Sequence, residues 1–455
     1  MRTLLVVVTL VVVAWLAVWS ARSVDAPTQA TATATAAGVR QADSLVEAWV
    51  RAERIPGAVL LASRRGSVVL HEAYGWAQVY EFGSGQYAAG GGPGTPSPRA
   101  SGSPASGAPA AVGGSGRRGL RRLAEPRAMT EHTVFDLASV TKVVATTMAV
   151  MLLVDRGVLD VDQPVRTYLP DFQGGGKEEI TLRHLLTHSA GLHQWKPVYY
   201  HATNADESYA YIRDLPLEWG VGEGRHYSDL GFMLLGRVVE QVSGASLGAF
   251  LQEHLYGPLG LRATGYRPWR AGAAAPRGSR PVAATSQGNP FEHRMVHDST
   301  FGYLYEGDPF AWSGWRERTL VGEVNDGNAF HAFGGEAGHA GLFAGASDLQ
   351  VLLQLLLDGG THDGRRLIDG DVVEMFLTPQ GPGQALGWLV PDYAPAGSFA
   401  HTGFTGTFVL GVPALELAVV LLTNRQNFGV DDEGGLPDID PLQRGVAAAL
   451  LGAER

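Results

Sequence analysis

The stretch Thr133-Val134-Phe135-Asp136-Leu137-Ala138-Ser139-Val140-Thr141-Lys142 leads from a short apolar run into Val143 to Val154, an unbroken segment rich in Ala, Met, Leu and Val. That pattern predicts a strand ending at the mouth of a helix. Ser139 then stands at the helix entrance, where unpaired N–H groups and the positive end of the dipole favour developing negative charge. Lys142 follows one turn later, and positions i and i+3 share a face, so hydroxyl and amine can meet. The chain holds only three lysines, Lys142, Lys177 and Lys196, among 35 basic residues. A guanidinium stays protonated, whereas an amine can be desolvated until it gives up its proton, so lysine suits a proton-accepting role. The four residues read as an activated nucleophile. An N-cap serine followed by a solvated lysine explains them equally well, so the surroundings decide.

Before this stretch, Ala42 to Arg54 has apolar residues at helical spacing, and Gly57 to Ser63 and Ser67 to Tyr74 read as a hairpin around Arg64-Arg65-Gly66. After it, residues 159 to 259 are mostly helical, with segments at Thr181 to Leu186, Asp206 to Leu215 and Ser228 to Val242; another helix covers Asp348 to Leu357. The tail returns to strands at Gly387 to Val390, Ser398 to Thr402, Gly406 to Val412 and Leu417 to Thr423, then closes with a helix from about Pro441 to Leu451. Strands at both ends and helices between them predict an α+β fold: an antiparallel sheet built from both chain ends with flanking helices, plus an inserted, mostly helical lobe. The cleft between sheet and lobe is the expected binding site.

The 455 residues, 45% hydrophobic, suffice for a large core. The net charge of −10, with no basic run long enough to suggest a nucleic-acid surface, argues against nucleic acid as a partner. No cysteine is present, which excludes disulfides, thiol catalysis and thiolate metal sites, so any nucleophile is an oxygen. Residues 1–26, apolar from Thr3 to Ala21, read as an export signal or membrane anchor, with membrane contact through this segment and a periplasmic or extracellular location. Residues 27–41 read as an Ala/Thr-rich tether, and the main domain as 42–455. It is interrupted at about 83–119 by a Gly/Ser/Pro-rich segment that cannot offset its ordering entropy, and at about 271–328 by a second irregular region.

Two further constellations fit such a cleft. Tyr227-Ser228-Asp229 heads a helix; a tyrosine passes a proton near neutrality if a cation such as Lys142 depresses its pKa. A helix cap beside a packed aromatic is the plainer reading. His401-Thr402-Gly403-Phe404-Thr405-Gly406 joins two tail strands, and its glycines allow close backbone approach to a ligand, though an ordinary hairpin looks the same.

Together, Ser139-x-x-Lys142, Tyr227-Ser228-Asp229 and His401-Thr402-Gly403 resemble the three motifs of the serine β-lactamase and penicillin-binding protein superfamily, and most closely its class C-like branch of β-lactamases, D-alanyl-D-alanine carboxypeptidases and esterases. The runs Thr181 to Leu192, Gly338 to Phe343 and Leu421 to Arg425 also resemble that branch. The resemblance implies a cofactor-free serine acyl-hydrolase in which Ser139 attacks a carbonyl, Lys142 is the base and Tyr227 relays a proton to the leaving group. It implies an oxyanion hole from the N–H groups of Ser139 and Phe404, with His401 and Thr402 on the substrate's carboxylate or acyl group, and Asp229 and Gly403 also binding substrate. The implied partner is a small molecule or cell-wall peptide. His401 replaces the lysine of many relatives and Asp229 the frequent asparagine, which favours peptidase or esterase work over efficient β-lactam hydrolysis. A carboxylate near Lys142 would favour the charged amine.

Two alternatives stand beside this reading. A catalytically silent relative would bind cell-wall peptide in the same cleft. A metal-dependent hydrolase would use His184 and His188, spaced i, i+4, with Glu336 three before His339; Leu185 occupies the place of a zinc protease's glutamate, and no third ligand has motif-like spacing. Trp195, Tyr199, Tyr200, Trp312 and Trp315 are candidates for an aromatic cleft wall or for packing.

Overall fold

A computed structural model describes residues 29–83, 87, 119–266, 280–301, 305–431 and 434–452. Six strands form the main sheet: β1 (Gly57–Arg64), β2 (Ser67–Glu81) and β3 (Arg121–Ala128) from the first part of the chain, and Phe399–Thr402, Phe408–Val412 and Leu417–Thr423 from the tail. With the two-residue strand β4 (Phe135–Asp136) and β5 (Leu342–Ala344) numbered between them, the tail strands are β6, β7 and β8. The sheet order is β6-β7-β8-β1-β2-β3. The two chain ends join where β1 pairs antiparallel with β8, from Ala58 opposite Thr423 to Arg64 opposite Leu417.

Strand β8, Leu-Ala-Val-Val-Leu-Leu-Thr, is buried throughout because both sheet faces are covered. Its alternating residues feed two cores. Leu417, Val419 and Leu421 pack with Ala42, Val46 and Trp49 of helix α1 (Gln29–Arg51) and with Leu442 and Val446 near the chain end; Ala418, Val420 and Leu422 join the larger core that includes the helical lobe. Helix α1 is described from Gln29, so residues 29–41 of the stretch read as a tether are part of the helix, in keeping with their alanine content. At Gly38 a Cβ would lie 2.3 Å from the Ala449 carbonyl oxygen, so glycine permits α1 to cross the last helix closely.

The segment after β4 opens with a wide helical turn at Lys142–Thr147 and continues as α2 (Met148–Asp155). Helix α3 (Asp229–Ser243) packs against that turn and α2, α4 (Ala346–Leu357) covers the sheet, and α5 (Asp440–Leu451) closes the chain. Two expectations change. Gly387 to Val390 contributes only isolated bridges of Leu389 to Gln384 and Ala400. Within 271–328, strands at Ala284–Gln287 and Thr319–Val321 pair and a helix spans Pro290–His297, because Ala283, Ala284 and Leu320 find buried positions. Most of 83–119 lies outside the described residues, as do residues 1–26; among the described residues no helix is long and apolar enough to cross a membrane.

Candidate active site

Ser139 sits where β4 gives way to the Lys142 turn. The backbone is held there by Asp136, whose Oδ1 accepts from the Ala138 N–H at 2.9 Å and whose Oδ2 accepts from the Asn325 N–H at 2.6 Å. Ala138 has φ of 45°, a left-handed conformation costly for a residue with a Cβ, and it turns Ser139 out of the strand direction. Burial raises the Asp136 carboxyl to about 6 against the two N–H donors.

Lys142 is fully buried, and its Nζ donates to Ser139 Oγ at 3.0 Å, to Asp229 Oδ1 at 2.7 Å and to the His339 carbonyl oxygen at 3.2 Å. Three acceptors match the three N–H bonds of an ammonium. Burial by itself favours the neutral amine, but the Asp229 carboxylate, and after it Tyr227, outweigh this and raise Lys142 above the ordinary lysine pKa. The resting amine is therefore charged, and the expectation of a free base at Lys142 is corrected.

Helix α3 supplies Asp229, and its entrance is clamped. Ser228 caps the helix by accepting from the Gly231 N–H at 3.2 Å, its own N–H donates to His188 Nδ1 at 3.0 Å, and the Asp229 N–H donates to the Gln194 carbonyl at 2.9 Å. The plain capping role thus falls to Ser228 and leaves the Asp229 carboxylate for Lys142. The Tyr227 ring packs on His188 with centroids 4.4 Å apart and has Lys142 Nζ 4.9 Å from its own centroid, and its phenol interacts with both Ser139 and Lys142. Its pKa nevertheless rises above the ordinary tyrosine value, because desolvation exceeds the lowering by Lys142; the expectation of a depressed phenol is corrected.

The sheet side brings His401 on β6. Only 1% of it is exposed, and burial, then the Lys142 charge, push its pKa down to about 3, so the ring is neutral. Nδ1 lies 2.8 Å from the Thr402 carbonyl oxygen, which can only accept; Nδ1 therefore carries the proton, and Nε2 is a bare acceptor without a protein partner among the described residues. Thr402 itself is exposed. At Gly403 a Cβ would come within 2.4 Å of the Leu137 carbonyl oxygen, so only glycine lets this turn rest on the backbone before Ser139. Thr405 Oγ1 donates to the Asp136 carbonyl and Thr407 Oγ1 to the Leu137 carbonyl, both at 2.8 Å. The Phe404 carbonyl accepts from Arg425 Nη2 at 2.7 Å and from Gln426 Nε2 at 3.1 Å. Neither the Ser139 nor the Phe404 N–H has a backbone acceptor among the described residues. The turn that rests on Leu137 thus carries an N–H with no backbone acceptor among the described residues.

Asp326 escapes the sequence reading, and His339 entered it in the metal alternative and in a run resembling relatives, not as a partner of Lys142. His339, 1% exposed, meets Asp326 Oδ1 through Nε2 at 2.9 Å while its carbonyl holds Lys142. Despite burial, His339 holds Asp326 below the usual carboxylate range. Asp326 carries no local signal in the sequence.

The histidines weighed as metal ligands have other partners. His184 Nδ1 accepts from the Thr181 N–H at 3.1 Å, His188 receives the Ser228 N–H, and Glu336 Oε1 accepts from the Gly248 N–H at 2.7 Å. Among the described residues, Asp229, Asp326 and His339 do offer ligand atoms within 4.8 Å of one another, but the Lys142 amine already bonds Asp229 and so fills the cationic role there. The aromatics pack together, with Tyr199 and Trp312 centroids 4.6 Å apart and Trp312 and Trp315 4.9 Å apart.

A β-lactamase family model matches residues 42–442. The chain belongs to the β-lactamase family. It is 31% identical over 426 residues to the N-acetylmuramyl-L-alanine amidase of Bacillus subtilis (strain 168), covering 88% of this chain and 84% of that protein. It is 31% identical over 341 residues to a putative D-alanyl-D-alanine carboxypeptidase of Escherichia coli (strain K12), covering 69% and 74% respectively. In fold it is similar to a penicillin-binding protein homologue from Caulobacter crescentus (TM-score 0.60, 20% identity, 90% of this chain and 96% of that one). It is equally similar to EstCE1, a hydrolase with promiscuous acyltransferase activity (TM-score 0.60, 20% identity, 92% and 100%). As a member of this family the chain is a serine hydrolase.

Proposed function

We propose that this β-lactamase-family protein cleaves an amide or ester in a D-amino-acid-containing, cell-wall type peptide, through an acyl-enzyme on Ser139. The observation that carries the reading is the buried amine of Lys142, 3.0 Å from Ser139 Oγ and 2.7 Å from Asp229 Oδ1. Because the resting amine is an ammonium, it accepts the serine proton only as it passes one of its own to Asp229. Oγ then forms a bond to the carbonyl carbon, and the carbonyl π electrons move to oxygen, which the N–H groups of Ser139 and Phe404 stabilise. On collapse the proton held by Asp229 returns through Lys142 and Tyr227 to the leaving nitrogen or oxygen, and water later repeats the sequence to release the acyl group. Asp229, read from sequence as a substrate contact, is thus a proton acceptor.

The names of the amidase and carboxypeptidase relatives support a peptide substrate over efficient β-lactam turnover. The apolar stretch within residues 1–26 supports export, with membrane contact if it is retained. Intact mass after exposure to a fluorophosphonate, a penicillin and simple esters tests the reading. A single adduct that disappears in Ser139→Ala is expected; an adduct persisting in that variant removes Ser139 from the mechanism, and a protein that binds peptide without ever labelling is the silent relative.

A further inference from the structure

Tyr227 brings its phenol to Ser139 and Lys142 from the irregular segment that leads into α3. That segment is held by another, residues 188–194. The His226 N–H donates to the His188 carbonyl at 2.8 Å and the Ser228 N–H to His188 Nδ1 at 3.0 Å, so His188 grips the residue on either side of Tyr227. Its ring also lies against the phenol ring, with centroids 4.4 Å apart and planes at 35°. Further along, the Gln194 carbonyl takes the Asp229 N–H at 2.9 Å and the His193 carbonyl the Ser228 hydroxyl at 2.7 Å. His188 thus meets residues 226, 227 and 228 at once.

Two features of His188 are costly, and filling space does not require them. Its φ of 57° is left-handed, a conformation that a residue with a Cβ keeps only where its surroundings impose it. There one residue turns both its carbonyl and its ring to the same segment. The side chain is buried, and because the Ser228 N–H can only donate, Nδ1 is the bare acceptor and Nε2 carries the proton. That Nε2–H has no partner among the described residues, a desolvation cost that an apolar side chain would avoid. Burial, ahead of the neighbouring charges, drives the His188 pKa well down, so the ring stays neutral and Nδ1 stays an acceptor through neutrality.

We propose that His188 is a positioning residue for Tyr227: its carbonyl and Nδ1 fix the backbone on both sides, and its ring sets the phenol against Ser139 and Lys142. The proposal rests on the reading of Tyr227 as proton donor to the leaving group, and its test separates the two. An alkoxide leaving group needs a proton, whereas p-nitrophenolate leaves without one, so a misplaced phenol slows ethyl butyrate far more than p-nitrophenyl butyrate. The ratio kcat/KM, which reports acylation, is measured for both esters, with Tyr227→Phe as the calibrator. His188→Ala is expected to lose on the order of 10²-fold on the ethyl ester and only about twofold on the p-nitrophenyl ester. His188→Asn keeps an acceptor near Nδ1 and tolerates a left-handed backbone but lacks the ring; His188→Phe keeps the ring and lacks the acceptor. Each recovers part of the selective loss. Equal losses on both esters in His188→Ala, beside a selective loss in Tyr227→Phe, make His188 a packing residue and overturn the assignment alone. No selective loss in Tyr227→Phe, or no turnover of either ester by the unaltered protein, removes the relay and the assignment with it. Where the thermal midpoint shows the alanine variant unfolded, the asparagine variant carries the same comparison.

Discussion

The two walls that face Ser139 treat charge in opposite ways. The helical wall buries an ion pair, Lys142 with Asp229, and backs it with Asp326 on His339. The sheet wall buries an imidazole that stays neutral and a turn whose side chains bond only to carbonyl oxygens. Proton movement therefore belongs to the helical wall, where a carboxylate lies one hydrogen bond beyond the amine. Oxyanion stabilisation belongs to the sheet wall, where fixed neutral donors cost nothing to reorganise during the reaction.

Four substitutions break or sharpen this contrast. The largest effect is expected for Lys142→Met, which removes the proton carrier and leaves Asp229 unpaired beside the nucleophile. The ratio kcat/KM falls by on the order of 10³ or more, as for groups that act as a unit; a variant retaining a tenth of the activity would show that the helical wall does not carry the proton. Asp229→Asn comes next. It leaves a buried ammonium without its counter-charge, at about 3–5 kcal/mol of stability by chemical denaturation near neutral pH, and kcat falls about 10²-fold. The sign follows from linkage: a lysine pKa raised by folding stabilises below its unfolded value, and that gain is lost only as pH climbs through the folded value. The contribution of Lys142 to native stability is thus flat through neutrality, whereas the Asp229→Asn substitution is expected to let the lysine titrate at lower pH and to add an inflection to the rate profile.

On the sheet wall, Gly403→Ala forces a Cβ toward the Leu137 carbonyl, displaces the Phe404 N–H and lowers kcat about 10²-fold, the scale of one lost oxyanion donor, with little change in KM. A rise in KM alone would make this turn a substrate platform without an oxyanion role. The smallest effect concerns His401. A histidine held near 3 in the native state against its ordinary 6.5 gives stability that is lost as pH falls from 6.5 toward 3. His401→Asn removes up to about 1.4 kcal/mol per pH unit from that slope, read from denaturation midpoints across the interval. The rate profile of the native protein is expected to show no His401 inflection near 6.5, because burial holds the ring neutral; one that His401→Asn abolished would mean the imidazole is charged and the two walls are alike.

The legible parts of the chain are those whose partners are near in sequence or whose pattern has a fixed period. The apolar run Leu417 to Thr423 reports a strand buried on both faces, and the spacing of Ser139 and Lys142 reports a shared helical face. Boundaries shift where alanine-rich sequence permits helix, as in α1, and where short apolar runs at 280–324 find partners that composition does not advertise. Asp326 is invisible in sequence because its significance lies in His339, 13 residues away, and its burial beside Lys142 comes from a fold in between. The aromatic residues show the same limit, since by residue type Tyr199 and Trp312 suit either a cleft wall or packing, and the structure packs them on each other.

Sequence by itself determined which atoms are available: a serine and a lysine one turn apart, a tyrosine and a carboxylate at one helix entrance, an imidazole and glycines between two tail strands. Only the tertiary structure decided their protonation. Asp229 arrives at Lys142 from 87 residues away and the His339 carbonyl from 197, and together they make an ammonium of an amine that burial alone would neutralise. The same enclosure, without a counter-charge, strips the proton from His401. Desolvation and nearby charge set these states, and both are properties of neighbours in space.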